Sequence, residues 1–254
     1  MTPALRVTLA LHVAGVLLLA ADAALWPWVA AALAANHQIL TTGVFLVRGR
    51  LLGPNLSRLP AAAIARRHVS LTFDDGPHPE LTPRVLALLE RYQATASFFC
   101  VGEKARAHPE LVREIARRGH SVENHTYRHS HAFALFSVSL LRREVESAQA
   151  VVAAITGRAP QFFRAPVGFR SPLLELVLAR VGLRYVSWTR RGFDTAKADP
   201  ARVLARLTRG LAAGDVLLLH DNLPGSLTIL PALLEQLAAR DLKCVSLPVA
   251  CSPS

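Results

Sequence analysis

Asp74 and Asp75 are adjacent and are followed at once by Gly76–Pro77. A sharp turn there would aim both carboxylates into one cleft, one to hold a metal and the other to take a proton. The competing use is a turn in which Asp side chains cap backbone N–H groups. His125 and His129 are four residues apart within Asn124–His129. On a helical turn that spacing puts both rings on one face at ligand reach, and two solvated histidines at a helix start is an equal alternative. His131 falls off that face and reads as surface or outer support. Arg164 follows Phe162–Phe163 and precedes Pro166–Val167–Gly168, so a strand would deliver a guanidinium beside a shaped loop. Trp188 leads on to Asp194–Thr195, and Leu217–Leu218–Leu219 ends in His220–Asp221. A lone histidine at a strand end is more often a satisfied core group, so the joint occurrence of these runs carries the argument.

Such groups need a scaffold that brings strand ends to one edge. From His68 onward, short apolar runs alternate with helical patterns. Val69–Phe73, Ala96–Val101, Tyr185–Trp188, Val216–Leu219 and Cys244–Leu247 read as strands. Thr82–Tyr92 (with Thr82 as N-cap), Glu110–Arg118, Leu140–Ile155, Pro172–Val181, Pro200–Leu211 and Ile229–Ala239 read as helices. Alternation of this kind predicts an α/β fold with a parallel sheet, open or closed into a barrel, whose active site lies at the strands' C-terminal edge.

Taken in order, the polar runs resemble the five motifs of the polysaccharide deacetylases, the NodB-homology enzymes of carbohydrate esterase family 4. Thr72–Phe73–Asp74–Asp75–Gly76, His125–Thr126–Tyr127–Arg128–His129, Arg164–Ala165–Pro166–Val167–Gly168, Trp188 with Asp194, and Leu217–Leu218–Leu219–His220 carry the likeness, which spans Val69 to Leu247. The resemblance implies a distorted (β/α) barrel of the NodB-homology type. It implies a divalent metal, Zn²⁺ ahead of Co²⁺ or others, on Asp75, His125 and His129. It implies Asp74 as general base oriented by Arg164, and His220 as general acid partnered by Asp194. Val167 would offer a backbone N–H to the oxyanion, and Leu218 would line the pocket for an acetyl methyl. Two departures bear on the substrate: many relatives have an aromatic where Val167 stands, and Trp where Thr195 follows Asp194. The implied reaction is removal of an N-acetyl group from an amino sugar in a glycan. The alternatives are deacylation or deformylation of a lipid-linked sugar, and a glycan-binding module without activity.

Before the catalytic region, Val7–Ala21 and Ala23–Val47 contain no Asp, Glu, Lys or Arg. A spanning helix needs roughly 20 mostly apolar residues, so the second run is long enough and the first is marginal. With Trp26, Pro27 and Trp28 between them, they predict an apolar helical hairpin held at the cell (inner) membrane. A secretory signal and a soluble helix pair are the rivals. The expected division is 1–47 membrane segment, 48–67 connector and 68–254 catalytic domain. The positive-inside rule, read from Arg48, Arg50 and Arg58 behind the hairpin, places the catalytic domain on the cytoplasmic side. The resemblance points the other way, because many relatives act outside the cytoplasm. The chain of 254 residues is 52% apolar with net charge +11. Its arginines are scattered without interleaved aromatics, which argues against nucleic acid and for a glycan or membrane partner. Cys100, Cys244 and Cys251 form no framework; Cys100 reads as a buried strand residue, and Cys244 and Cys251 could pair.

Overall fold

Along Val69–Phe73 every residue is buried, yet the two faces differ: Val69, Leu71 and Phe73 are apolar, while Ser70, Thr72 and Asp74 are polar. Successive strand residues point to opposite faces, so this strand turns an apolar side to the helices and a polar side inward. It is β1 (His68–Asp74) of the structure, a computed structural model that describes residues 1–194 and 199–247. The other strands are β2 (Ala96–Cys100), β3 (Ser121–Asn124), β4 (Phe162–Phe163), β5 (Arg184–Tyr185), β6 (Arg190–Arg191), β7 (Val216–His220) and β8 (Lys243–Cys244). They pair in parallel in the order β5-β4-β3-β2-β1-β7-β6, with β8 joined separately to β1. The sheet curls into a half-barrel, as the resemblance led one to expect. Leu56 bridges Val186 after β5 and Arg58 bridges Asp215 before β7, so the 56–58 stretch spans the open side.

The alternation recurs on neighbouring strands. Phe98, Leu217 and Leu219 join the outer core, with Phe73 and Phe98 stacked 5.0 Å apart. Phe99, Val216 and Leu218 join an inner cluster with Phe162 and Trp188. Around the outside lie α3 (Ala61–Ala65), α4 (Leu81–Arg91), α5 (Gly102–Ala107), α6 (Pro109–Arg117), α7 (Val138–Thr156), α8 (Leu174–Val181), α9 (Pro200–Thr208) and α10 (Pro224–Ala239), after α1 and α2, which are taken up below. Apolar positions at helical spacing, such as Leu141, Val145, Ala148 and Val152 of α7, are the buried ones. Gly157 and Gly182 end α7 and α8 in left-handed conformation, each at φ 70°.

Three local expectations change. Thr82 does not cap α4: its hydroxyl accepts the His78 N–H at 2.8 Å and donates to Asp221, because the buried Asp221 carboxylate needs a donor. The stretch Tyr185–Trp188 is not one strand. Pairing with β4 ends at Tyr185, Val186 forms the bridge to Leu56, the chain turns Trp188 into the barrel, and strand pairing resumes at Arg190. The last strand is confined to Lys243–Cys244, and Leu247 packs into the inner cluster instead. Cys100 is buried in β2, as expected. Thr195 and Cys251, and with the latter any pairing to Cys244, lie outside the described residues.

Before the barrel, α1 (Pro3–Ala21) and α2 (Trp26–Phe45) form a hairpin through the turn Ala23–Leu25, where the Asp22 carboxylate accepts the Ala24 N–H at 2.9 Å. The helices meet through polar groups: Asn36 donates to the Thr8 hydroxyl at 3.1 Å, and the His12 and His37 rings lie edge to face at 5.3 Å. Among the described residues only α1 is long and apolar enough to cross a membrane, with mean hydropathy 2.0. This reverses the expectation that the second run was the stronger candidate; Asn36, His37, Gln38, Thr41 and Thr42 dilute α2, while α1 gains Pro3–Arg6.

Candidate active site

Strand register sets the first pair. Asp74 and His220 end β1 and β7 as register partners, and both lie on the inward face with Thr72 and Leu218. Asp74 is almost fully buried, and its Oδ1 accepts from Arg164 Nη1 at 2.6 Å. Arg164, at the end of β4, is wholly buried. The same Nη1 reaches the Thr72 hydroxyl at 2.9 Å, Nη2 donates to the Ser187 carbonyl at 3.2 Å, and the guanidinium lies 4.1 Å from the Phe99 ring centre. One buried cation is thus distributed over several acceptors and an aromatic face, and it fixes the Asp74 carboxylate.

Asp75 follows in left-handed conformation at φ 70°, which aspartate tolerates better than most residues. That conformation brings its carboxylate to the same cleft as Asp74: Oδ1 is 3.3 Å from His125 Nε2 and 3.1 Å from His129 Nε2. Burial by itself would raise its pKa. The hydrogen bonds and charges of the two imidazoles outweigh burial and hold the carboxyl well below the usual carboxylate range.

The histidines do not share a helical turn, as their spacing implied. They sit in the loop after β3, where Thr126 and His129 take left-handed conformations at φ 64° and 55°. Side chains from elsewhere hold this loop. Asn124 Oδ1 accepts the Thr126 N–H at 3.0 Å, and Glu144 of α7 accepts the N–H groups of Tyr127 and Arg128 at 3.1 and 2.8 Å. Sequence reasoning missed Glu144; its signal was a carboxylate on the apolar stripe of α7. His125 Nδ1 lies 2.9 Å from the Arg164 carbonyl. A carbonyl only accepts, so Nδ1 carries a proton, and it is Nε2 that would turn its lone pair to a metal. One carboxylate oxygen and two imidazole nitrogens within 4.8 Å of one another are a donor set that fits a divalent ion such as zinc.

Opposite them, His220 Nδ1 donates to Asp194 Oδ1 at 2.9 Å, and the His220 backbone N–H and the Ser226 hydroxyl both reach Asp194 Oδ2 at 2.9 Å. Burial disfavours a charged imidazole, but the Asp194 hydrogen bond and charge, with Asp74 and Asp75 behind them, raise the His220 pKa above its ordinary value. In the same pair Asp194 is lowered: burial acts upward and the His220 contact outweighs it. The Asp194→Asn variant removes the group that keeps His220 protonated as pH rises. If His220 acts as an acid, the alkaline limb of the kcat/KM profile moves to lower pH in that variant; an unchanged limb refutes the coupling.

These groups line a cleft of about 140 Å³, completed by Val167, Gly168, Trp188, Leu218, His131 and Arg191. Val167 is itself left-handed at φ 50°, a strained state for a β-branched residue. Gly168 is required by Trp188, whose ring would lie 2.5 Å from any Cβ there. Trp188 is 6% exposed, so it is a wall of the cleft that also packs into the inner cluster. His131 lines the rim, 5.7 Å from the His129 ring. Arg191 was not foreseen; nothing in a two-residue strand marks it. A larger cavity of about 510 Å³ opens at the other end of the strands, around Arg113, His120 and Glu123. The candidate acid, base and ligand groups Asp74, His220, Asp75, His125 and His129 converge at the smaller one.

The polysaccharide deacetylase family model matches residues 62–186. A chitooligosaccharide deacetylase from Sinorhizobium fredii is 31% identical over 169 residues, 66% of this chain and 79% of that protein. A peptidoglycan-N-acetylglucosamine deacetylase from Bacillus cereus is 30% identical over 190 residues, 72% of this chain and 68% of that protein. The solved family 4 carbohydrate esterase from Streptomyces lividans, in complex with acetate, is 32% identical, with a TM-score of 0.66 over 70% of this chain and 91% of that one.

Proposed function

Since the chain belongs to the polysaccharide deacetylase family, we propose that it removes N-acetyl groups from the amino sugars of a glycan, with a divalent metal, zinc foremost, on Asp75, His125 and His129. One observation carries this reading. A carboxylate held by a buried arginine and an imidazole held by a buried carboxylate face each other across strand register, beside the ligand set. An inactive glycan-binding module would have no use for that arrangement.

When bound, the ion supplies Lewis acidity to the amide carbonyl and acidifies water. The protein's own groups do the rest. Asp74, with Oδ1 held by Arg164, keeps Oδ2 for the proton of the attacking water. The water oxygen bonds to the acetyl carbon, the C–N bond breaks, and acetate and amine leave. His220 gives the amine its proton through Nε2, because Nδ1 is committed to Asp194. The Val167 backbone N–H serves the oxyanion. Leu218, buried in the cleft wall, meets the acetyl methyl.

The substrate class draws support from the relatives named for chitooligosaccharides and peptidoglycan N-acetylglucosamine. N-acetylchitotetraose and peptidoglycan fragments, incubated with the zinc-loaded full chain, should release acetate and free amine in equal amounts; no acetate from any acetylated amino sugar overturns the proposal. Residues 68–254 would be the catalytic unit and 48–67 the connector. The hairpin would attach them to the membrane by α1, with α2 alongside. With both helices across, the positive-inside rule applied to Arg48, Arg50 and Arg58 would put the catalytic unit on the cytoplasmic side. A C-terminal reporter active only outside the cytoplasm would refute that side.

A further inference from the structure

The hairpin ends at the lip of the catalytic cleft. Phe45, the last residue of α2, packs edge-on against Phe169 with ring centres 5.1 Å apart. Phe169 directly follows Val167 and Gly168, which line the cleft. Three residues after Phe45, Arg48 donates from Nε to the Trp188 carbonyl at 3.0 Å and from Nη2 to the Thr189 carbonyl at 2.7 Å. Trp188 is another wall of the cleft. The end of the apolar hairpin therefore grips two segments that shape the site.

On the Trp188 side the cleft also carries a cation. Arg191 lines it, with its guanidinium 5.2 Å from the Trp188 ring centre and 4.8 Å from that of Phe193. Its Nε is buried and has no hydrogen-bond partner among the described residues. A guanidinium stacked between aromatic faces is a fixed planar donor suited to a phosphate oxygen. A neutral oligosaccharide has no charge to meet it. Phe193 stands 53% exposed, and Phe45 and Leu46 stand 59% and 54% exposed.

A bilayer that takes up the outward apolar residues of the hairpin, among them Val13, Val16, Leu17 and Trp28, ends where the hairpin ends. The cleft then opens at headgroup level. A sugar carried on a lipid reaches that level already, whereas a strand of polymer would have to enter between protein and membrane. We propose that the substrate is an N-acetylated amino sugar joined to a membrane lipid through a phosphate ester, with Arg191 taking the phosphate and the hairpin holding the cleft at the surface. The proposal rests on the deacetylase reading above and narrows its substrate.

The test uses the zinc-loaded full chain in phosphatidylcholine vesicles. Three probes are compared: a polyprenyl phosphodiester of N-acetylglucosamine in the vesicles, free N-acetylglucosamine 1-phosphate, and N-acetylchitotetraose. The lipid-linked probe should exceed both soluble ones at least tenfold in kcat/KM. Arg191→Gln should shrink its margin over the tetramer at least tenfold, and Arg191→Lys, which keeps the charge, should retain more of that margin. Equal use of the tetramer, or equal losses on both probes in Arg191→Gln, overturns the proposal while leaving the deacetylase reading intact. Equal use of the free sugar phosphate overturns the membrane half of it. Acetate from none of the probes removes the deacetylase reading and this inference together.

Discussion

The His125→Ala protein should lose its metal and, with it, its activity. His125 presents Nε2 3.3 Å from Asp75 Oδ1, and its other nitrogen is held by the Arg164 carbonyl at 2.9 Å, so the ring is oriented before any ion arrives. Loss of a supporting contact around a metal typically costs 10–100-fold in affinity, and loss of a ligand should cost on the order of 10²-fold or more. Acetate release should fall at least in proportion. The substitution also empties a buried ring position and frees one carbonyl, so stability should drop by about 1–3 kcal/mol. Metal content after dialysis, measured on the folded fraction, separates the two effects. A full metal load in the folded variant would show that this ligand assignment is wrong.

Asp74→Asn is expected to act on the rate and spare the metal. Asp74 Oδ2 lies 3.8 Å from His125 Nε2, whereas Asp75 Oδ1 lies close to both histidines. A positioned proton acceptor contributes on the order of 10²–10⁴-fold, and kcat should fall by that factor. The amide oxygen can still accept from Arg164, but the buried guanidinium loses its counter-charge. Removing one partner of a buried pair costs about 3–5 kcal/mol. The Thr72 hydroxyl and the Ser187 carbonyl, which remain on Arg164, place the loss toward the lower end. Turnover per folded, metal-loaded molecule is the deciding quantity. A value near wild type would remove Asp74 from the role of base.

These expectations draw on two kinds of information. The candidate acid, base and ligand groups were legible in the chain through the fixed order of five polar runs that resembles the family; Asp74 and His220 also close apolar runs, whereas His125 and His129 follow Val122–Glu123–Asn124. The strands β1, β2 and β7 were legible for a local reason: buried parallel strands read as unbroken apolar runs. Helices α4 and α6 to α10 announced themselves through their apolar spacing and, in α7 and α8, through the glycines that stop them, whereas the short α3 and α5 went unread. The apolar character of the first residues was legible as well, although the stronger helix was misjudged, since the run was measured from charged residues and Arg6 lies inside α1.

Tertiary structure alone decided how these pieces meet. His125 and His129 converge through left-handed residues and the reach of Glu144, not through helical spacing, and no local pattern signals a positive φ at Thr126. Arg164 meets Asp74 across 90 positions because the register of four neighbouring strands puts their ends on one edge. Arg191 enters the cleft from a strand too short to have a period, and Phe45 and Arg48 grip Phe169 and Trp188 over more than a hundred residues. Sequence periodicity reports which face of an element is apolar. It is silent on which distant element covers that face, because that choice follows from sheet order and the curl of the barrel.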